Sequence, residues 1–167
     1  MEFPSKRVEV GRAFDDLFED EHVRLYQALY FVTGDRQDAE ELMQDAFLKL
    51  WERWDRLQTI DDPVGYLFRV ALNGFRMRRR RTTMAIRKTL PVAEPRDEFR
   101  DADMRADVRQ LLIGLTPRQR AAVLLVDQFG YSSEQAASIL GVGASTVRSL
   151  ATQGRQALRA TEGGRDA

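Results

Sequence analysis

The sequence predicts an all-α protein with two small helical domains, an N-terminal helical bundle and a C-terminal helix-turn-helix domain, joined by a flexible linker. Apolar residues recur at steps of three and four along most of the chain, which is the spacing of one helix face. No alternating pattern typical of a strand extends beyond four residues. The helical period is lost over residues 82–107, so we place the domain boundaries at 1–85, 86–104 (the linker) and 105–167.

Three amphipathic helices are predicted in the N-terminal domain. Their apolar stripes cover residues 14–32, 39–54 and 64–75. Gly34 ends the first helix and Asp35 caps the second, while residues 55–61 form a loop. Asp62 followed by Pro63 has the form of an N-cap and a first helical residue. The third helix runs into a series of arginines, whose charge suits a helix C-terminus.

Three helices are also predicted in the C-terminal domain, at about 117–129, 133–140 and 144–160. Thr116 before Pro117 repeats the cap-then-proline start, and Ser132 with Gln135 fits a capping box. Gly141 provides a short turn between the last two helices. Two helices joined by such a turn form a helix-turn-helix.

The second helix of this motif exposes short hydrogen-bonding side chains together with arginine, which suits base edges and phosphates in a major groove. The candidate DNA-binding residues are Ser145, Arg148, Ser149, Thr152, Gln153 and Arg155. A plain helical hairpin within a bundle is the alternative. Gly154 lies inside this helix and predicts a soft C-terminal end, because glycine costs about 1 kcal/mol relative to alanine.

Charged residues are segregated along the chain, although 26 basic and 26 acidic side chains give a formal net charge of zero. Residues 1–62 carry a net charge of −8 and residues 63–90 a net charge of +8. Residues 91–107 are acidic at −3, and residues 108–167 are basic at +3. This pattern predicts one acidic region that avoids nucleic acid and two basic regions that approach it, with ordinary solvated faces as the alternative.

The composition excludes several classes of site. There is no cysteine, so disulfides, thiolate metal sites and a cysteine nucleophile are excluded, and His22 is the single histidine. We therefore expect no metal, no cofactor and no enzymatic activity. A Mg²⁺-dependent phosphodiester enzyme is the alternative, but no carboxylate cluster adjoins the arginines. The sequence has no segment suited to membrane insertion and no signal peptide, so we expect a cytoplasmic protein.

A run of arginines follows the third apolar stripe. Its members are Arg76, Arg78, Arg79, Arg80 and Arg81. Five cations in six positions surround a helix rather than occupy one face. We interpret them as contacts to phosphates, and an unstructured basic tail is the alternative.

An acidic face is predicted on the second helix, opposite the stripe that contains Trp51. Its members are Glu41, Gln44, Asp45, Leu48 and Glu52. An apolar residue among carboxylates suits a protein-binding surface and does not suit DNA. A solvated face with one exposed leucine is the alternative.

Three segments of the sequence together resemble a known protein family. Residues 38–51 (DAEELMQDAFLKLW) resemble the core-polymerase-binding helix of bacterial RNA polymerase sigma factors of the extracytoplasmic-function (ECF) group. Residues 63–73 (PVGYLFRVALN), with the arginine run, resemble that family's helix for the promoter −10 element. Residues 115–125 (LTPRQRAAVLL) and the helix-turn-helix resemble its −35-reading domain. The resemblance covers residues 12–81 and 108–160, in the family's order.

The resemblance implies an ECF-type sigma factor, which binds core RNA polymerase and directs transcription initiation by reading −10 and −35 elements. The implied partners are core polymerase (the β′ clamp and β), promoter DNA and an anti-sigma factor. The residues implied to face the β′ clamp are Glu41, Gln44, Asp45 and Leu48. A stand-alone dimeric helix-turn-helix regulator, which binds a palindrome without polymerase, is the alternative.

The resemblance also implies where DNA is contacted. The loop before the third helix is implied to receive a flipped-out base of the −10 element. The −10 contacts are then Leu57, Thr59, Asn73 and the five arginines of the run. The −35 element is implied to be read by Arg148, Ser149, Thr152 and Gln153.

Overall fold

The structure, a computed structural model, describes the backbone of residues 5–57, 60–88, 112 and 114–164 and the side chains of 13–57, 60–84, 112 and 114–164. Helices dominate this part of the chain. They are α1 (Ser5–Thr33), α2 (Arg36–Glu52), α3 (Trp54–Leu57), α4 (Pro63–Lys88), α5 (Pro117–Val123), a π-helical turn (Leu124–Gln128), α6 (Ser133–Leu140) and α7 (Ala144–Gly163). No strand occurs in the described residues, which confirms the all-α prediction.

The helix starts predicted in the N-terminal half are confirmed. Asp35 is the N-cap of α2, and its Oδ1 accepts a hydrogen bond from the backbone N–H of Asp38 at 2.8 Å. Asp62 does the same for α4, where its Oδ1 accepts from the Gly65 N–H at 2.8 Å. Each cap satisfies a backbone donor that has no partner within the helix.

Two boundaries differ from the prediction. The loop expected at residues 55–61 contains the short helix α3, which places Trp54 in the core. The helix α4 continues through the arginines to Lys88, so the run lies in the helix interior and not at its C-terminus. The apolar period ends earlier because it records packing, and this part of α4 extends beyond the packed core. Residues 89–104 of the expected linker lie outside the described residues.

Large side chains fill the N-terminal core between α1, α2 and α4. Phe47 contacts the rings of Phe14 and Phe18, with centroids 6.2 and 4.9 Å away. Leucines of all three helices are buried around this aromatic cluster. They are Leu25, Leu29, Leu42, Leu50 and Leu67.

The C-terminal half begins its helices as predicted. Thr116 and Gln119 form a capping box at α5, and Ser132 and Gln135 form one at α6. Gly141 adopts a left-handed conformation, with φ of 66°, in the turn between α6 and α7. The helix expected to reach Phe129 instead changes from α to π geometry at Leu124.

Gly154 has a packing role that the sequence analysis did not find. The helix α7 continues past it to Gly163, and the softness expected of its last turns stays a prediction. Gly154 is buried, and a Cβ added there would lie 2.6 Å from Cγ2 of Val123. The missing side chain therefore allows α7 to approach α5 closely.

The two halves are packed against each other. The Phe68 and Phe129 rings meet edge to face at 4.8 Å, and Tyr131 Oη donates to Asp62 Oδ1 at 3.2 Å. Arg120 is only 1% exposed and donates from Nη1 to the carbonyl of Val32 at 3.2 Å. One continuous apolar core therefore includes residues from both halves.

Candidate protein and nucleic-acid interfaces

The acidic face of α2 is directed away from the core. Gln44, Asp45 and Leu48 are exposed, and Leu48 retains 59% of its accessible surface. The opposite side of the same helix is buried and fixes this orientation. Its buried residues are Ala39, Leu42, Met43, Ala46, Phe47 and Leu50. The predicted exposure of the acidic face is confirmed, but Gln44 and Leu48 border the same groove as Trp51, so the face does not lie opposite Trp51 as predicted.

An arginine from α4 occupies part of this face. Arg78 Nη1 donates to Asp38 Oδ1 at 3.2 Å and to Glu41 Oε2 at 2.8 Å, and Arg78 Nη2 lies 3.5 Å from Asp45 Oδ2. Hydrogen bonds from Gln37 and then from Arg78 lower the pKa of Glu41. The sequence analysis assigned Arg78 to DNA and the carboxylates to a protein partner, whereas the structure joins them.

An apolar groove adjoins the acidic face. Trp51 is 49% exposed, although the sequence analysis placed it in a stripe facing the core. Its ring contacts Phe14 with a centroid distance of 4.8 Å. Together with Leu48 and Phe47, these rings line a groove of about 490 Å³. The exposed part of α2 is therefore acidic at its centre and aromatic at one edge.

The remaining arginines of the run have different immediate partners. Arg76 donates to Asn73 Oδ1 at 3.0 Å, and the Arg79 guanidinium lies 5.7 Å from the Phe75 ring centroid. Arg80 and Arg81 are exposed. The helix distributes these cations around its axis, as predicted from their spacing.

Several of the −10 candidates line the space between the two halves. Asn73, Arg76, Arg79 and Arg80 border a cavity of about 600 Å³ whose other wall includes Arg118 and apolar residues of the C-terminal half. Leu57 is half-buried, and Thr59 lies outside the described residues. The structure therefore places part of the expected −10 surface beside the C-terminal half.

Helix α7 exposes most of its candidate residues. Ser145, Ser149 and Thr152 are exposed and lie on the side of the helix away from the core. Arg148 is exposed as well and forms an ion pair with Glu134 of α6 at 3.3 Å. This polar face is free of large apolar groups and suits contact with a polar partner.

Two further candidates form hydrogen bonds with other side chains of the C-terminal half. Arg155 donates from Nε and Nη2 to the two oxygens of Asp127, at 2.8 and 2.6 Å, and this contact lowers the pKa of Asp127. Gln153 Oε1 accepts a hydrogen bond from Gln119 at 3.2 Å. These side chains connect α7 to α5 and to the π-helical turn.

The sequence analysis predicted neither the burial of Arg120 nor the carboxylates that Arg78 contacts. The cluster of carboxylates could have been found in the sequence, because Asp38, Glu41 and Asp45 are spaced three and four residues apart and therefore share one helix face. The burial of Arg120 could not, since a cation in an amphipathic segment is normally exposed. His22, for which no role was predicted, stacks on Phe18 at 4.6 Å.

Comparison with known proteins shows to which family the chain belongs. Two family models match, sigma-70 region 2 over residues 17–84 and sigma-70 region 4 over residues 105–158. The ECF RNA polymerase sigma factor SigM of Mycobacterium tuberculosis (strain H37Rv) is 32% identical, over 87% of this chain and 75% of SigM. The chain belongs to the ECF family of RNA polymerase sigma factors. The resemblance found in the sequence is thereby confirmed, and a stand-alone dimeric regulator is not favoured.

This sigma factor is also similar to longer relatives. It is 34% identical to the ECF RNA polymerase sigma factor SigE of Mycolicibacterium smegmatis, over 88% of this chain but only 60% of SigE. The acidic face, the arginine run and α4 up to residue 84 fall within the region 2 match, and α6 with α7 up to residue 158 falls within the region 4 match.

The fold of the sigma factor recurs in solved structures. The sigma factor RpoE of Bartonella quintana, in complex with the anti-sigma factor NepR, is 24% identical with a TM-score of 0.69, over 90% of this chain and 96% of that one. CnrH, in complex with the cytosolic domain of CnrY, has a TM-score of 0.61. Within the described residues, none of the sigma factor's helices is both long and apolar enough to span a membrane.

Proposed function

We propose that this chain binds core RNA polymerase in the cytoplasm and directs it to promoters, and that it catalyses no reaction itself. The observation that carries the proposal is that one bundle presents an acidic surface and a basic helix. The face of α2 is acidic and includes the exposed Leu48, whereas α4 carries the arginine run. An acidic surface repels phosphates and fits a protein, and a basic helix attracts DNA.

The C-terminal half supplies the second DNA contact in this proposal. Arg148, Ser149 and Thr152 lie on the exposed side of α7, the second helix of the helix-turn-helix. In this motif the N-terminal part of the second helix enters the major groove. These three residues are therefore assigned to the −35 element, with Arg148 as the strongest base contact because a guanidinium can bind guanine through two hydrogen bonds.

Reading both elements requires the two halves to separate. Elements at −10 and −35 lie about 25 base pairs apart, or roughly 85 Å at 3.4 Å per base pair. A compact chain of this length has a radius of gyration of about 15 Å. The contacts that Arg120, Phe129 and Tyr131 make with the N-terminal half must therefore be lost when the protein binds a promoter.

An anti-sigma factor is proposed as a third partner. The similar RpoE structure contains the anti-sigma factor NepR. In the present chain, the cavity between the halves combines an apolar wall with arginines from both sides. A protein that occupied it would stabilise the packed arrangement and oppose promoter binding.

The polymerase interface is tested by titration of core enzyme with the labelled chain. The double variant Gln44→Ala, Asp45→Arg removes an amide and reverses a charge at the centre of the acidic face. We expect at least tenfold weaker binding, because a like charge at an interface costs several kcal/mol. Asp16→Arg, an equal charge change at an exposed site on α1, is the control and should bind normally. Unchanged affinity of the double variant would exclude this face from the interface.

A further inference from the structure

Arg78 lies between two surfaces that the proposed function assigns to different partners. Its backbone belongs to α4, the helix of the arginine run, whereas its guanidinium lies on the acidic face of α2. The three carboxylates that surround it come from successive turns of α2, and two of them, Glu41 and Asp45, belong to the proposed polymerase contact. One side chain is thus shared between the protein-binding surface and the DNA-binding helix.

The contact is accessible from solvent and can be exchanged. The Arg78 side chain is 33% exposed, and those of Asp38, Glu41 and Asp45 are 43%, 46% and 58% exposed. Ion pairs at such positions are weak, since water and salt screen them. A cationic partner that approaches the acidic face can therefore replace the guanidinium without exposing a buried charge.

The other arginines of the run do not have this position. Arg76 is held by Asn73 and Arg79 lies over Phe75, both on α4 itself. Arg81 is exposed on the same helix. Among these, Arg78 alone bridges to the acidic face in the part of the chain that the structure describes.

We propose that Arg78 couples polymerase binding to promoter binding. In the free chain its guanidinium offsets part of the negative charge of the acidic face. When core polymerase engages that face, its cations displace Arg78, and the released side chain becomes an additional phosphate contact of α4. The inference rests on the proposed function, because it requires the acidic face to be the polymerase interface.

Thermodynamic linkage relates the effect of polymerase on DNA binding to the effect of DNA on polymerase binding. If polymerase binding releases Arg78 for DNA, DNA binding must strengthen polymerase binding by the same factor. Exposed ion pairs are individually weak, so a network of three carboxylates gives a coupling of about three- to tenfold. The free chain then binds DNA with one phosphate contact fewer than the holoenzyme does.

The test uses the full chain, free and assembled with core polymerase, and compares Arg78→Gln, Arg78→Lys and Arg81→Gln with the unmodified protein. Arg78→Gln keeps a long side chain and removes the charge, and circular dichroism checks that its helicity is unchanged. We expect it to bind core enzyme two- to fivefold more tightly, because the internal competitor is lost. In the holoenzyme, the dependence of log affinity for promoter DNA on log salt should weaken by about 0.7–0.9, the value for one lost phosphate contact.

The decisive comparison is between the salt dependence of DNA binding by the free chain and by the holoenzyme. Arg78→Gln should leave the salt dependence of DNA binding by the free chain unchanged, whereas Arg81→Gln should weaken it in both the free chain and the holoenzyme without altering the affinity for core. Arg78→Lys retains the charge and should restore both properties toward those of the unmodified protein.

Three outcomes would overturn the inference. Weaker core binding by Arg78→Gln would mean that Arg78 holds the acidic face in its binding form. An equal loss of salt dependence in the free chain and the holoenzyme would make Arg78 an ordinary phosphate contact. No change in either state would remove it from both interfaces. Failure of the proposed function is seen separately, as normal core binding by the Gln44 and Asp45 double variant.

Discussion

The two halves of the sigma factor fill their cores with side chains of different size. Around Phe47 in region 2, the core consists of aromatic rings and leucines. In region 4, small residues form a larger share of the contact between the helices, together with the buried Leu115, Leu125, Ile139 and Val147. The small residues are Ala121, Ala122, Ala136, Ala137, Ala151 and Gly154. Region 2 therefore depends more on the volume of its side chains, and region 4 depends more on the close approach of its helix backbones.

This difference predicts opposite sensitivities to substitution. A core of large side chains loses stability when atoms are removed, because a cavity remains. A contact between small residues loses stability when atoms are added, because the helices cannot move apart without losing their other contacts. The direction of the size change, and not burial alone, therefore decides the effect in each half.

The largest effect is expected in region 2. Phe47→Ala should lower the free energy of unfolding by about 3–5 kcal/mol, because it removes a buried ring that contacts Phe14 and Phe18. Urea denaturation followed by circular dichroism measures the change. Val23→Ala, at a residue that is 51% exposed, is the control and should change stability by less than about 0.5 kcal/mol. A loss below about 1 kcal/mol would show that region 2 tolerates a cavity.

A second prediction extends the comparison from packing to charge within region 4. Arg148→Ala should relax preference at one −35 position by about 10- to 150-fold, which corresponds to the 1–3 kcal/mol of a base contact through two hydrogen bonds. Arg155→Ala should leave the base preferences unchanged, because the structure pairs Arg155 with Asp127. Selection from a promoter library measures both variants. Equal losses at all −35 bases for Arg148→Ala would mean that it contacts phosphate only.

The smallest effect is expected at the contact between α5 and α7. Gly154→Ala adds a Cβ that would lie 2.6 Å from Cγ2 of Val123, so overpacking outweighs the gain in helix propensity. We expect a net loss of about 1 kcal/mol in urea denaturation. Gly163→Ala is the matched control, since no atom lies within 4 Å of its added Cβ.

A second substitution shows whether this loss comes from the contact. Combining Gly154→Ala with Val123→Ala removes the opposing methyl groups and should recover part of the stability. If Gly154→Ala stabilises the protein instead, the close approach of the two helices is not limiting. Region 4 would then not differ from region 2 by being more sensitive to added atoms.

The sequence by itself determined where α2, α4, α5 and α6 begin. The caps at Asp35, Asp62, Thr116 and Ser132 were all predicted and all form. Each depends on a hydrogen bond that closes within three residues, so no distant contact is needed to specify it. The outward orientation of the acidic face was also predicted, because the helical period fixes which residues share a side.

The tertiary structure alone decided which charged groups pair and how the halves meet. Arg78 reaches Asp38 across 40 positions, and Arg155 reaches Asp127 across 28. The contact of Arg120 with Val32 spans 88. The cations of a helix are equivalent in sequence until the fold brings a carboxylate or a carbonyl group within hydrogen-bonding distance of one of them. Residue type and spacing define the available charges, whereas the packing of distant helices selects the arginines that form internal contacts and those that remain exposed.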